Sequence, residues 1–247
     1  MQVFKVAVRC ALTAFILACT LASAQEGPLE KTPPKGVAPE QIIRLFTAKE
    51  KEWKNVRQQY TFRQATKVET LNGNDVSGEF RQVADIHYAN GAPVKSVVFG
   101  PQPSLEMSKQ DMEDIDTRGT FTVSTDELPQ YNLAYVGQQK QDELNCYVFD
   151  IAPKQMQKEK RYFQGRLWVD DQTYQIVKNT GKSVPDIRVK KRKGLEENLF
   201  PTFSTWRQFM DGYWFPAFSS ADETLHFANG SDVHIRQVVK FTEYKKK

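Results

Sequence analysis

Residues 56–91, VRQQYTFRQATKVETLNGNDVSGEFRQVADIHYANG, decide the fold. Over residues 56–70 one face of an extended chain carries Val56, Tyr60, Phe62 and Val68, and the other Arg57, Arg63, Lys67 and Glu69. Over residues 79–88, Phe80, Ala84, Ile86 and Tyr88 are opposed by Glu79, Arg81, Asp85 and His87. Alternation of period two with one wet face predicts antiparallel strands. Asn72-Gly73 separates the two runs and Asn90-Gly91 ends the second, and Asp211-Gly212 and Asn229-Gly230 recur downstream. A two-residue hairpin turn with φ > 0 at both central positions is met at least steric cost by Asn or Asp followed by Gly. The reading is therefore a large antiparallel sheet built from hairpins.

Upstream, Pro39 suits the first turn of a helix. Ile42, Ile43, Leu45, Phe46 and Trp53 recur at helical spacing, with Glu40, Arg44, Lys51 and Glu52 largely opposite. Such a helix must lie against something apolar. Residues 25–38 hold Pro28, Pro33, Pro34 and Gly36 with mixed charge, which predicts a flexible tether. Residues 1–24 read as a secretory signal peptide. Lys5 and Arg9 precede an apolar run over 10–21, and Ala22-Ser23-Ala24 supplies small residues for cleavage before Gln25. Lipid attachment at Cys19, after Ile16-Leu17-Ala18, is the weaker alternative, since the following Thr20-Leu21-Ala22 is apolar. The expected destination is the periplasm.

Downstream, a strand over 94–99 gives way to Ser108-Lys109-Gln110-Asp111, which resembles a capping box. A short helix to about Gly119 follows, with Leu105, Met112 and Ile115 on one side; such excursions carry lids and binding loops. Strands resume over 133–137, 144–151, 162–170, 174–180, 202–210, 213–218, 222–228 and 233–244. The sum is a mainly β (α+β) chain of about ten or eleven strands and two or three helices, one domain over 39–247. Phe203, Trp206 and Phe209 put apolar side chains on both faces of one strand, so both faces must be covered.

Composition excludes several classes. The leader takes two of the 34 basic residues and none of the 30 acidic ones, leaving a net charge of +2, a poor footprint for nucleic acid. Of three cysteines only Cys146 lies beyond the leader, so no disulfide forms within the chain, and Cys146 fits a buried strand position better than a nucleophile. No second apolar run is long enough to cross a bilayer. His87, His226 and His234 show no metal-ligand spacing, and nucleophile elbow, phosphate loop and dinucleotide fingerprint are all missing. The acidic pairs Asp170-Asp171, Asp114 with Asp116 and Glu196-Glu197 read as solvated carboxylates rather than a catalytic pair. Asn229-Gly230-Ser231 matches a glycosylation sequon, but a turn explains it more simply. Arg188, Lys190, Lys191, Arg192 and Lys193 form the strongest charge run. It reads either as a solvated loop or edge strand or as a patch for lipid headgroups or an acidic partner.

Taken together, the leader, the lone helix, the long strands with a helical excursion, Phe163-Gln164-Gly165-Arg166-Leu167-Trp168-Val169-Asp170 with Gln175-Ile176-Val177-Lys178, and the closing Asp211-Gly212-Tyr213-Trp214-Phe215-Pro216 resemble the outer-membrane lipoprotein-sorting (LolA-like) superfamily, over residues 39–244. The resemblance implies a curved antiparallel sheet forming an incomplete β-barrel, closed by helices over an apolar hollow that takes acyl chains. It brings no catalytic residue and no cofactor. The basic run and the proline-rich segment have no counterpart in it.

The chain is thus expected to be a non-enzymatic carrier or sensor of lipid or lipoprotein acyl chains in the cell envelope. The alternative is a structural or regulatory envelope protein that uses the same fold as a surface for protein partners. An exported hydrolase is the least favoured reading. Alternation and spacing nominate Tyr60, Phe62, Phe80, Ile86, Met112 and Ile115 as lining, with Phe46 and Trp53 from the covering helix. The basic run is the expected headgroup, membrane-surface or partner patch.

Overall fold

A computed structural model describes residues 26–157, 160–191, 194–198 and 200–247. The leader and the alternative anchor Cys19 lie outside the described residues. Helix α1 (Pro39–Val56) begins on proline and is extended by one tight turn, Arg57–Gln59. Strands β1 (Tyr60–Asn72), β2 (Asp75–Ala89) and β3 (Ala92–Phe99) form a meander. Helix α2 (Lys109–Arg118) follows, opened by the expected box: Ser108 Oγ accepts from Asp111 N, and Asp111 Oδ2 accepts from Ser108 N. A second meander runs through β4 (Tyr131–Gln141), β5 (Leu144–Pro153), β6 (Tyr162–Asp170) and β7 (Ile176–Val184). Next come β8 (Arg188–Lys191), β9 (Gly194–Glu197), β10 (Phe203–Met210), β11 (Tyr213–His226) and β12 (Asp232–Lys246).

Ten of these strands make one antiparallel sheet in the order β3-β2-β1-β12-β11-β10-β7-β6-β5-β4. β3 and β4 are its two edges and do not meet, so the sheet is a curved, incomplete barrel. β8 and β9 pair only with each other. The separate expected strands over 213–218 and 222–228 are one strand, β11, whose irregularity is a register shift opposite Trp206 and Arg207. Val56, expected on the first strand, ends α1 instead.

The turns divide by chemistry. Asn90-Gly91 (φ 52° and 78°) and Asp211-Gly212 (φ 51° and 84°) are the expected two-residue turns with both residues left-handed. Asn72 stays in β1 and pairs with Asp75, so Gly73-Asn74 make the turn and only Gly73 is left-handed. Asn229-Gly230 lies in a longer loop, where Asn229 Oδ1 accepts from Ser231 N and Oγ.

Residues 26–32, expected as tether, run beside the β4 edge. Glu26 and Glu30 bridge to Gln141 and Gln138, and Leu29 packs on an outer cluster of Cys146, Val148, Trp168 and Val177. An apolar side chain and a free sheet edge give this segment partners that its composition did not announce.

Candidate functional site

Both helices lie on one face of the sheet, here called inner. The period of two fixes which side chains reach it. α1 sets Ile42 and Phe46 among Tyr147, Phe149, Ile151, Phe163, Leu167 and Val169, with Phe46 and Phe149 ring centroids 5.6 Å apart. α2 sets Ile115 among Phe62, Val68, Ala84, Ile86, Ile235, Val239 and Phe241. Each helix therefore has its own apolar bed, one on the β4–β7 side and one on the β12–β1–β2 side.

Between the beds a polar row runs across the inner face beside Phe203, Phe215 and Ala221. Strand register aligns Asn179, Thr205, Ser219, Val239, Thr66 and Gln82 in one row across β7, β10, β11, β12, β1 and β2. Asn179, Thr205, Ser219 and Thr66 are buried, as is Gln237 in the adjoining row. Thr205 Oγ1 donates to Ser219 Oγ at 3.0 Å, and Gln64 Nε2 donates to Asp116 Oδ1 of α2 at 2.7 Å. The expected continuous apolar hollow is thus two apolar beds with a polar seam.

Buried charges fasten the helices. Glu50 of α1 accepts two hydrogen bonds from Arg207 of β10, at 2.8 and 3.2 Å, with both side chains almost fully buried. Arg207 also donates to the Phe121 carbonyl, and the Arg57 guanidinium donates to that of Thr120. The Trp53 ring centre is 4.8 Å from the guanidinium carbon of Arg57 and 4.6 Å from that of Arg207. Burial pulls the Arg57 pKa below its ordinary value. In α2, Arg118 pairs with Asp114 at 2.8 Å and stacks 4.3 Å over Phe203. Burial lowers its pKa too, against the pull of Asp114.

Seven of the eight nominated lining residues fall into three groups. Phe46 belongs to the α1 bed. Phe62, Ile86 and Ile115 meet in the α2 bed, with Phe80 partly buried against them. Trp53 and Tyr60 both pack on Phe215, at 6.2 and 4.9 Å. Met112 is half-buried on α2. The bed residues are buried under their helices, and a cavity of about 240 Å³ borders α2 beside Asp114, Thr117, Ser183 and Phe200. A cleft of about 720 Å³ opens on the opposite, outer face of the sheet beside Asp150, Arg166, Trp168 and Lys182.

Of the basic run, Arg188, Lys190 and Lys191 lie on β8, opposite Glu197, Leu195 and Gly194 of β9; Arg192 and Lys193 lie outside the described residues. Two of the acidic pairs have structural partners. Asp116 bonds Lys95 and Gln64, and Asp170 Oδ2 accepts from Thr173 N and Oγ1 in the β6–β7 turn. His226 and His234 bond Asp232 and Asp222 at the surface. Sequence reading missed Glu50 and Arg207. A carboxylate on the Ile42–Phe46–Trp53 stripe was the available signal, because a charge on a buried stripe needs a partner.

No family model matches the chain, and no curated protein matches it. Among solved structures it is similar to a DUF1329 family protein from Desulfovibrio piger, at 13% identity and a TM-score of 0.38, over 82% of this chain and 94% of that one. It is also similar to a domain from Vibrio parahaemolyticus with a provisional assignment as an outer membrane lipoprotein-sorting protein, the kind of protein the sequence resembles. There the identity is 12% and the TM-score 0.38, over 81% and 91%. A structure of MucB in complex with MucA(peri) follows at 10% identity and a TM-score of 0.22, over 81% and 99%.

Proposed function

We propose that this chain is an exported, non-enzymatic lipid-binding protein of the cell envelope, which holds an acyl chain between its helices and the inner face of its sheet. The observation that carries the reading is the arrangement of α1 and α2, each laid over an apolar bed on one face of a sheet whose edges stay apart. Because the bed residues are buried under the helices, entry requires a helix to lift. Lifting α1 uncovers Ile42, Phe46 and Trp53, at about 1.5–3 kcal/mol each. An acyl chain gains about 0.8 kcal/mol per buried CH₂, so a sixteen-carbon chain gains on the order of 12 kcal/mol before ordering costs. The exchange is of matching size. Phe46, Trp53, Tyr60, Phe62, Phe80, Ile86, Met112 and Ile115 are the proposed contacts, and the polar seam suits the end of the guest that carries oxygen.

A second reading follows from the outer face: an envelope protein that works through that surface, where a cleft of about 720 Å³ lies. Native mass spectrometry of gently purified protein, with thermal melting in added palmitate, separates the two. Retained lipid or a raised melting temperature supports the carrier. Unliganded protein whose melting palmitate leaves unchanged removes it.

A further inference from the structure

We propose that the β4 edge together with Lys178 is an exchangeable docking site for an extended peptide bearing a carboxylate, and that the protein's own residues 26–32 occupy it at rest. The receiving side is built in advance. Lys178 is only 4% exposed, with its ammonium 4.5 Å from the Trp168 ring and 5.3 Å from the Trp206 ring, and it donates to Gln141 Oε1 at 3.4 Å. A buried ammonium demands an anionic partner, and Glu26 supplies it. Gly137 lets the second backbone approach: its φ is 151°, and a Cβ there would stand 2.3 Å from the Glu30 carbonyl oxygen. Two prepared features, a cation and a recess for backbone, thus face the same edge.

The occupant is held by a short ladder. Its backbone bonds to β4 run from Gly27 N to Lys140 O, Glu30 N to Gln138 O, and Gln138 N to Glu30 O, and Gln139 Nε2 and the Tyr135 hydroxyl donate to the carbonyls of Gly27 and Thr32. Pro28, between them, has no N–H to donate. Glu26, Pro28 and Glu30 are exposed, and Leu29 is half-buried. β1 and β2, by comparison, stay in register over nine residue pairs, from Phe62 with Ile86 to Thr70 with Gly78. A short, proline-interrupted segment on a preformed edge is the arrangement in which strand addition by another chain competes on equal terms. The guest that fits repeats the resident pattern: an extended segment with a carboxylate, then an apolar residue three positions on.

The test keeps the whole exported chain and weakens only the occupant, with Glu26→Gln and Leu29→Ser together. A fluorescent peptide of the sequence QEGPLEKT, residues 25–32, is titrated against this variant and the unaltered protein by anisotropy. The expected result is binding to the variant at least tenfold tighter than to the unaltered protein. A peptide with Gln in place of the Glu at position 26 should bind the variant at least tenfold more weakly. No binding to a variant that still melts cooperatively, or equal binding of the Glu and Gln peptides, overturns the proposal. A variant that fails to fold also overturns it, because residues 26–32 would then be a permanent part of the sheet. Loss of acyl-chain binding elsewhere in the molecule leaves these readings unaffected.

Discussion

At Tyr60 the phenol donates to Asp211 Oδ2 across 2.6 Å, from the start of β1 to the β10–β11 turn. That hydrogen bond, and burial after it, pushes the Tyr60 pKa up to about 12. Its share of stability is therefore complete below the ordinary tyrosine value of 10 and lost as pH rises through about 12. Tyr60→Phe should cost about 1 kcal/mol in urea unfolding at neutral pH, and should flatten the decline of stability at alkaline pH. Glu127 acts at the opposite end of the scale. Burial would raise its pKa, but hydrogen bonds from Lys54 and Ser124 hold it below the ordinary 4.5. Its contribution is present above that value and fades as pH falls through the lowered one. Glu127→Gln should lower stability at pH 7 and leave a shallower acid transition, read from melting temperatures between pH 3 and 7.

Helix α1 shows what an element adds to its residues. The Ile42–Phe46–Trp53 stripe predicted a buried face, and that face is buried; Leu45, counted on it, is 37% exposed. Period alone placed the helix. It left Glu50 without meaning, because a carboxylate's partner 157 residues away has no local signature. Removing one member of such a buried pair strands the other, at about 3–5 kcal/mol. Glu50→Gln should therefore lower unfolding free energy by that order, whereas replacing Glu50 and Arg207 together with methionine should cost much less. Equilibrium denaturation of both variants checks the contrast. The turns teach the same lesson. Asn-Gly or Asp-Gly pairs marked four of the reversals, yet only flanking register decided which residues were central. Residues 26–32 read as tether because a strand held at another strand's edge needs neither alternation nor length.

For the whole molecule, sheet class, helix count and the wet and dry faces of β1 and β2 were legible, since alternation and capping are local. The polar seam was not. Gln64 and Thr66 share the inner face with Phe62 and Val68, and only strand register shows that Thr205, Ser219 and Gln237 continue it. Register likewise separates the tryptophans. Trp53 is on the helix side, whereas Trp168 and Trp214 join the outer cluster and Trp206 stacks near Lys178. This division makes an acyl chain under α1 directly observable. A stearic acid brominated along its chain quenches indoles it touches, and the measurement is tryptophan quenching in the unaltered protein and in Trp53→Phe. The account predicts saturable quenching that Trp53→Phe abolishes. Quenching that persists undiminished in Trp53→Phe, or none in either protein, would contradict it.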